Sequence, residues 1–572
     1  MLDSTANTPT REGRAGYPFG WIWHRQLPHY PDTALRYGFL LITVLATVVL
    51  YYELYVQGAV ATKIIVSFGF TFTQYIFVSV LGNLVGAFGS LAAGLADRWG
   101  RANLVVVGLF ITGLIVVVGL PRVTEKPAWT VLFAVLSIVE GIMLVATPAL
   151  IRDFSPQLGR ASAMGFWTMG PVLGSLVVTV VSSHTLSTHP DWQFQFYVCG
   201  ISGLVVAVIA LLGLRELTPQ LRDQLMVSLR DRQLVEARAA GLDPEQALRG
   251  HWRQLLRPDV FGSAFAISVF LFFYYIAVGL FVVYFVTTFG YSEARANALA
   301  NWYWAADAIA LIVAGVLSDR LRVRKPFMIV GAVVACCSTA VFALLATRPN
   351  TSYYEFAAVM AIGAAGAAFA YCTWMAAYTE TVEAHNPAAT ATGLAIYGWT
   401  IRIVITISLA VFTLVVTATS TLVDQGSRVG AIVAAYPEQT AALSALSPQV
   451  SAQLAAHPTD PSVAATAVTQ LIHAKVATDP AGAEAVLRQL GSHPIPTADL
   501  AYLKAHSAEV AKAGHDGPRQ WQVWWWVCAI TQLLFIPFVF VMRGRWSPSK
   551  AREDAERHEA MVQQSLAELH GR

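Results

Sequence analysis

Runs of about 20 apolar residues, parted by short polar stretches, recur along most of the chain, and each is long enough for a helix that crosses a bilayer. The pattern predicts about twelve such spans. In the first half they are Phe39 to Val60, Gln74 to Ala96, Leu104 to Leu120, Trp129 to Ile151, Ala161 to Val181 and Phe194 to Leu214. In the second half they are Phe261 to Thr287, Ala298 to Leu317, Phe327 to Leu345, Phe356 to Tyr378, Gly393 to Val416 and Trp521 to Met542.

Two long polar stretches interrupt the apolar runs and set the organisation. Residues 1–38 form an amino-terminal segment, 39–214 a first six-helix bundle, and 215–260 a linker in which Leu221, Leu225 and Leu229 recur like one face of an interfacial helix. Spans seven to eleven fill 261–417, an Ala-rich insertion occupies 418–520, the last span covers 521–542, and 543–572 is a polar tail. Ser447-Pro448, Asp460-Pro461 and Asp479-Pro480 are helix-start signals, a capping side chain followed by a proline at the first helical position. They predict short helices over the insertion, packed on the outer mouth.

Basic residues near span ends stay on the cytoplasmic side. Arg98 and Arg101 follow span two, Arg152 and Arg160 flank the turn after span four, and Arg320, Arg322, Arg324 and Lys325 follow span eight. All fall on one side, and Arg543 and Arg545 open the tail there too; Glu380 and Glu383 occupy the turn after span ten without a basic partner in that turn. Both termini are therefore expected in the cytoplasm of a multi-pass protein of the plasma (inner) membrane, and the insertion outside, where a lid, a dock for an extracytoplasmic partner and a weakly folded appendage are the alternatives. The first 36 residues show no short apolar core with a small-residue cleavage site, so no signal peptide is expected.

Composition narrows the partners. With 56% hydrophobic and 13% charged residues, lipid is the solvent of this chain. A net charge of +3 builds no basic field, so nucleic acid is not an expected partner. The five cysteines lie in apolar runs, without metal-ligand or disulfide spacing. No nucleotide-binding motif and no clustered nucleophile and base is visible, so neither a cofactor nor an enzyme is expected.

At the inner end of span two stands Gly94-Leu95-Ala96-Asp97-Arg98-Trp99-Gly100-Arg101, and at the inner end of span eight Gly315-Val316-Leu317-Ser318-Asp319-Arg320-Leu321-Arg322. From Asp97 to Asp319 is an interval of 222 residues, as two parallel six-span repeats require. A plain positive-inside loop explains the arginines but not the repeated Asp and Gly. These stretches resemble the loop signature of the major facilitator superfamily. The resemblance implies an all-α membrane protein, two six-helix bundles moving a small-molecule substrate by alternating access, with Asp97, Arg98, Arg101, Asp319 and Arg320 as a latch that breaks and re-forms. The signature's leading Gly is Ala93 in the first copy, and its later Gly is Arg322 in the second.

Gly170-Pro171-Val172-Leu173-Gly174-Ser175 in span five resembles the antiporter motif of drug:proton exchangers, with Phe166 and Ser175 where further glycines are usual. Gly170, Pro171 and Gly174 also suit a packing kink in any transporter. Glu53, within Tyr51-Tyr52-Glu53-Leu54-Tyr55, and Glu380 with Pro387 and Thr392-Gly393, resemble features of sugar and organic-acid proton symporters; the sugar signatures at the linker and after the last span are absent.

Glu53, Glu140, Asp307 and Arg402 stand near the middle of spans one, four, eight and eleven. A charge left facing lipid costs at least about 2.5 kcal/mol, so these four must face a cavity or one another. The resemblance places spans one, four, seven and ten along the central path, which aims Glu53 and Glu140 at the solute. A carboxyl there can bind and release a proton, and Glu53, Glu140 and Asp307 are the candidate proton carriers; a structural hydrogen bond is the alternative for Glu53. The first-half acid is not duplicated, since Tyr275 stands at the position equivalent to Glu53. Asp307 and Arg402 either pair with each other or leave Arg402 to bind a substrate carboxylate bidentately. Trp302, Tyr303, Trp304, Tyr397 and Trp399 cluster beside them, with Tyr52 and Tyr275 as further candidate contacts, although such aromatics also serve as interface anchors and core filler. The reading is a transporter driven by the proton gradient, carrying a small organic solute, with an organic anion ahead of drug antiport and of a transporter-like sensor.

Overall fold

The computed structural model describes residues 25–91, 99–154, 160–218, 255–385, 390–457, 460–542 and 544–550, with scattered residues of the tail beyond. Asp97, Arg98, the linker leucines, Pro387 and most of the 1–38 segment lie outside these residues. Among the described residues, ten helices are long and apolar enough to cross a membrane, or eleven if one bent pair is a single span. Span five, outside that count, is a helix of 26 residues, Arg160–Thr185.

Local chemistry sets the helix ends. Thr71 and Gln74 form a reciprocal capping box at the start of span two, each accepting the other's backbone N–H at 3.1 Å. Ser352 and Glu355 do the same for span ten. In the insertion Ser447, Asp460 and Asp479 accept N–H groups of the helices Pro448–Ala456, Pro461–His473 and Pro480–Ser492, as their Ser-Pro and Asp-Pro pairs predict.

The halves meet through span five against span eight and span two against span eleven. Within the first half, span two lies on span four so closely that a Cβ at Gly86 would come within 2.9 Å of the Ser137 carbonyl. Span one is held by five and six, and in the second half ten packs on eight and nine. At the end that carries the basic loops, residues Gln26–Leu27 pair in parallel with Glu216–Leu217 just after span six. Arg25, buried there, donates to the last carbonyls of span six, Ala210 O at 3.0 Å and Leu214 O at 3.3 Å.

Two elements depart from the apolar pattern. Span seven, which reads as one unbroken run, bends by 44° at Leu271 and breaks again at Leu280. No proline stands at either place; the Tyr275 hydroxyl instead donates to the Ser268 carbonyl at 3.2 Å. Span twelve does not start near Trp521: one helix of 45 residues runs Thr497–Val541 and takes in the end of the insertion. At 1.5 Å per residue it is about 68 Å long, roughly twice the hydrocarbon core, so its first half stands clear of the membrane.

Candidate functional site

Between the halves lies a layer of tyrosines. Tyr51 and Tyr55, four residues apart on one face of span one, have ring centroids 5.4 Å apart. Tyr55 faces the Tyr274 hydroxyl on span seven, and Tyr274 meets Trp304 of span eight edge-on at 5.4 Å. From spans ten and eleven, Tyr371 and Tyr397 bring their hydroxyls to 3.1 Å, with Trp374 packed against both. Tyr275 borders Tyr371 and Tyr55. Arg402 extends from span eleven towards the first half, its Nη1 3.5 Å from the Gly86 carbonyl and its charge facing Tyr51. Asp307 is buried among Tyr274, Tyr303 and Tyr371.

Asp307 and Arg402 therefore do not pair; no ion pair among the described residues joins them. The two share the layer but belong to different neighbourhoods, one inside the second half and one reaching across the interface.

Glu53 and Glu140 form a second centre. Both are 1% exposed and within electrostatic reach of each other. None of their four carboxyl oxygens has a hydrogen-bond partner among the described residues, and no basic side chain faces either. Glu53 points away from the tyrosine layer into the first half. Thr112 of span three faces it, and a Cβ on Gly203 of span six would strike its Oε1. This corrects the expectation that Glu53 faces the solute path: at 100° per residue Tyr51 and Tyr55 share one helix face, and Glu53 falls on another. Glu140 bridges the two regions, close to Glu53 on one side and to Tyr51 and Tyr55 on the other.

Three aromatic candidates leave the site. Tyr52 turns into the first half beside Cys199, its hydroxyl without a partner among the described residues. Trp302 and Trp399 are 49% and 44% exposed on the outer surface of the bundle, where they suit an interface anchor better than a pocket. Their neighbours Tyr303, Trp304 and Tyr397 take the buried faces.

The latch residues are partly visible. Arg101 Nη1 lies 2.8 Å from Asp153 Oδ2 at the end of span four, and its backbone N–H donates to Glu216 Oε2 at 2.7 Å. In the second half Asp319 pairs at 2.8 Å with Arg324, not with Arg320, which points to solvent. Arg322 takes a left-handed conformation after Leu321 (φ 54°), and this turn brings Arg324 back over the helix end. Arg324 also reaches Glu380 Oε1 at 3.2 Å and Ser318 Oγ at 2.6 Å. Glu380, without a basic partner in its own turn, thus finds one from the turn after span eight. Gly170 and Gly174 press span five onto span one, against Thr47 and Tyr51.

Sequence reasoning placed Tyr51 and Tyr55 beside Glu53 without seeing that they, rather than Tyr52, enter the central layer. Their four-residue spacing was the available signal. Tyr397 stood among the aromatics beside Arg402, whereas Tyr371, in a helix with three other tyrosines, carried no signal of its own.

The sequence profile of the Major Facilitator Superfamily matches residues 43–408. By structure the chain is similar to a bacterial homolog of the human lysosomal transporter Spinster in an inward-facing conformation, with TM-score 0.54, 16% identity, 91% of this chain covered and 100% of that one. It is also similar to the proton:xylose symporter XylE bound to 6-bromo-6-deoxy-D-glucose, with TM-score 0.51, 13% identity, and 68% and 91% covered. No curated protein matches the chain by sequence.

Proposed function

The chain belongs to the major facilitator superfamily, and from that premise we propose that this transporter is proton-coupled and carries a small organic anion by alternating access in the plasma membrane. The observation that supports the anion is the Arg402 guanidinium, set into a layer whose other walls are tyrosine rings and hydroxyls. A carboxylate beside Arg402 gains charge-assisted hydrogen bonds, and the rings bury an apolar body. Tyr275, Tyr371 and Tyr397 supply the remaining polar contacts.

Coupling falls to Glu53 and Glu140. Two buried carboxyls within electrostatic reach of each other, with no cation among the described residues facing them, cannot both be charged at tolerable cost, so the pair holds at least one proton. Release of that proton needs water to reach the first half's interior. Asp307 stands as a third carrier in the second half. The latch of Asp97, Arg98 and Arg101 with its counterpart at Asp319 holds the cytoplasmic ends and yields as the halves rock. The basic loop ends argue for cytoplasmic termini and an outer insertion, and the driving force is the proton gradient, with no cofactor.

Drug:proton antiport is the second reading, favoured by the close seating of Gly170 and Gly174 on span one. A thermal-shift screen of the purified protein against organic acids, sugars, amino acids and cationic drugs, at two pH values, separates them. A ligand at one hundred times its Kd stabilises by about 2.7 kcal/mol. Stabilisation by carboxylates supports the organic-anion reading, and stabilisation by bulky cations alone replaces it with antiport. Counterflow of the bound solute then distinguishes a carrier from a sensor.

A further inference from the structure

The insertion begins where span eleven ends, at Val416, with a short helix Thr417–Thr421, a π-turn Leu422–Gly426 and a helix Ser427–Ala435. Its base is stitched to the long helix of span twelve. Gln520 Oε1 accepts the Ala418 N–H at 2.7 Å, and Trp521 Nε1 donates to Thr419 Oγ1 at 2.8 Å. Higher up, Val429 and Ile432 pack against Ile495 and Leu503, and Arg428 lies 4.1 Å over the Tyr502 ring and 3.6 Å from Asp499. The base of the insertion is thus anchored to the second half.

From this base one side chain crosses to the first half. Asp424 Oδ1 accepts the backbone N–H of Phe72 at 2.7 Å, while its Oδ2 accepts Ser420 Oγ at 3.2 Å. Phe72 is the first residue of the span-two helix, and its N–H belongs to the donors that a helix start leaves without an internal partner. Thr71 and Gln74 satisfy two neighbouring donors within the same half. The Phe72 N–H takes its acceptor from the other half, and the aspartate brings negative charge to a positive helix end. The Phe72 ring is buried, edge-on to Phe412 of span eleven. The same end of the bundle is closed across the mouth by Lys63 with Glu293 at 3.4 Å and by Asn297, which donates to the Ala59 carbonyl at 3.0 Å.

We propose that the Leu422–Gly426 turn is a clamp through which the insertion controls the opening of this end of the transporter. Asp424 caps span two when the mouth is closed and must release it when the halves part. The insertion is then a regulatory element: whatever moves its base relative to span two shifts the balance between closed and open states. This inference rests on the alternating-access reading above.

Spin labels at Ser187→Cys and Asn350→Cys, on exposed loops of opposite halves at that end, report the width of the mouth in the full-length protein. The lipid-exposed Cys337 is first changed to serine. The parent is expected to show a short and a long distance. Asp424→Ala should raise the ratio of long to short about tenfold, and Asp424→Asn, which keeps an acceptor without its charge, about threefold. Where Asp424→Ala does not fold, the converse variant serves: a disulfide between Asp424→Cys and Thr71→Cys, closed with an added oxidant before thioether-linked labels are placed on the two reporter cysteines, should remove the long distance, and a thiol reductant, which leaves thioether labels in place, should restore it. A parent with a single distance under all conditions overturns alternating access itself. A parent with two distances whose ratio neither variant nor disulfide changes overturns the clamp alone.

Discussion

Gly174 is where the contact between spans one and five can be tested most sharply. A Cβ added there would lie 2.6 Å from Tyr51 Cβ, 2.9 Å from the Val48 carbonyl and 3.1 Å from the Tyr51 carbonyl carbon. Two of these three atoms are backbone, so no rotamer change relieves the clash and span one must move. Overpacking of this kind costs about 1–3 kcal/mol. Gly398, in the middle of the span-eleven helix, has nothing within 4 Å of its added Cβ. Alanine at that position should gain about 0.5–1 kcal/mol from helix propensity alone. Thermal melting of both variants in one detergent should therefore place Gly398→Ala at or above the parent and Gly174→Ala below it. The Gly174 variant should also lose carboxylate affinity, because Tyr51 moves relative to Arg402. Equal melting temperatures for the two variants would refute the close seating of span five on span one.

Other substitutions separate the two centres. Arg402→Ala should weaken carboxylate binding by about thirtyfold or more while sparing neutral solutes, with Arg402→Lys in between, as read by thermal shift or tracer competition; equal loss for neutral solutes would reduce Arg402 to a packing role. Glu53→Gln should abolish uphill accumulation and leave counterflow exchange intact, and undiminished accumulation removes Glu53 from coupling. Trp302→Ala and Trp399→Ala should change solute affinity less than threefold, since both rings point outward; a tenfold loss in either would return that ring to the pocket.

The spans and the starts of the insertion helices were legible because each rests on local chemistry, an apolar run for the one and a capping side chain before proline for the other. Span seven was not: its bend at Leu271 is accompanied by Tyr275 reaching back to the Ser268 carbonyl, a contact that no run of hydropathy encodes. The four intramembrane charges stood out at once, because each violates an apolar run. Their facing was harder. Glu53 and Tyr51 differ by two positions, and only the packing of spans three and six decides which of them looks inward. Of the two alternatives for Asp307 and Arg402, the pair is not formed, for a similar reason: equal depth in neighbouring helices does not fix the rotation of either. The resemblance put Arg320, the residue after Asp319 in the signature, into the latch, whereas the left-handed Arg322 folds the chain so that the more distant Arg324 arrives.

In the proposed mechanism, coupling runs through span one. Tyr51 and Tyr55 look towards Arg402 and Tyr274, while Glu53, within the same turn, looks towards spans three and six and towards Glu140. The solute and the proton thus act on different faces of a single helix. Moving a charge in or out of such an interior changes the free energy of a state by at least about 2.5 kcal/mol, which shifts a two-state equilibrium by nearly two orders of magnitude. An anion beside Arg402 biases the same helix from its other face. Because Gly170 and Gly174 lock span one against span five, the helix cannot yield locally and must carry its neighbour with it. Solute and proton can therefore influence each other without a continuous chain of hydrogen bonds between them, through a rigid element that has two positions.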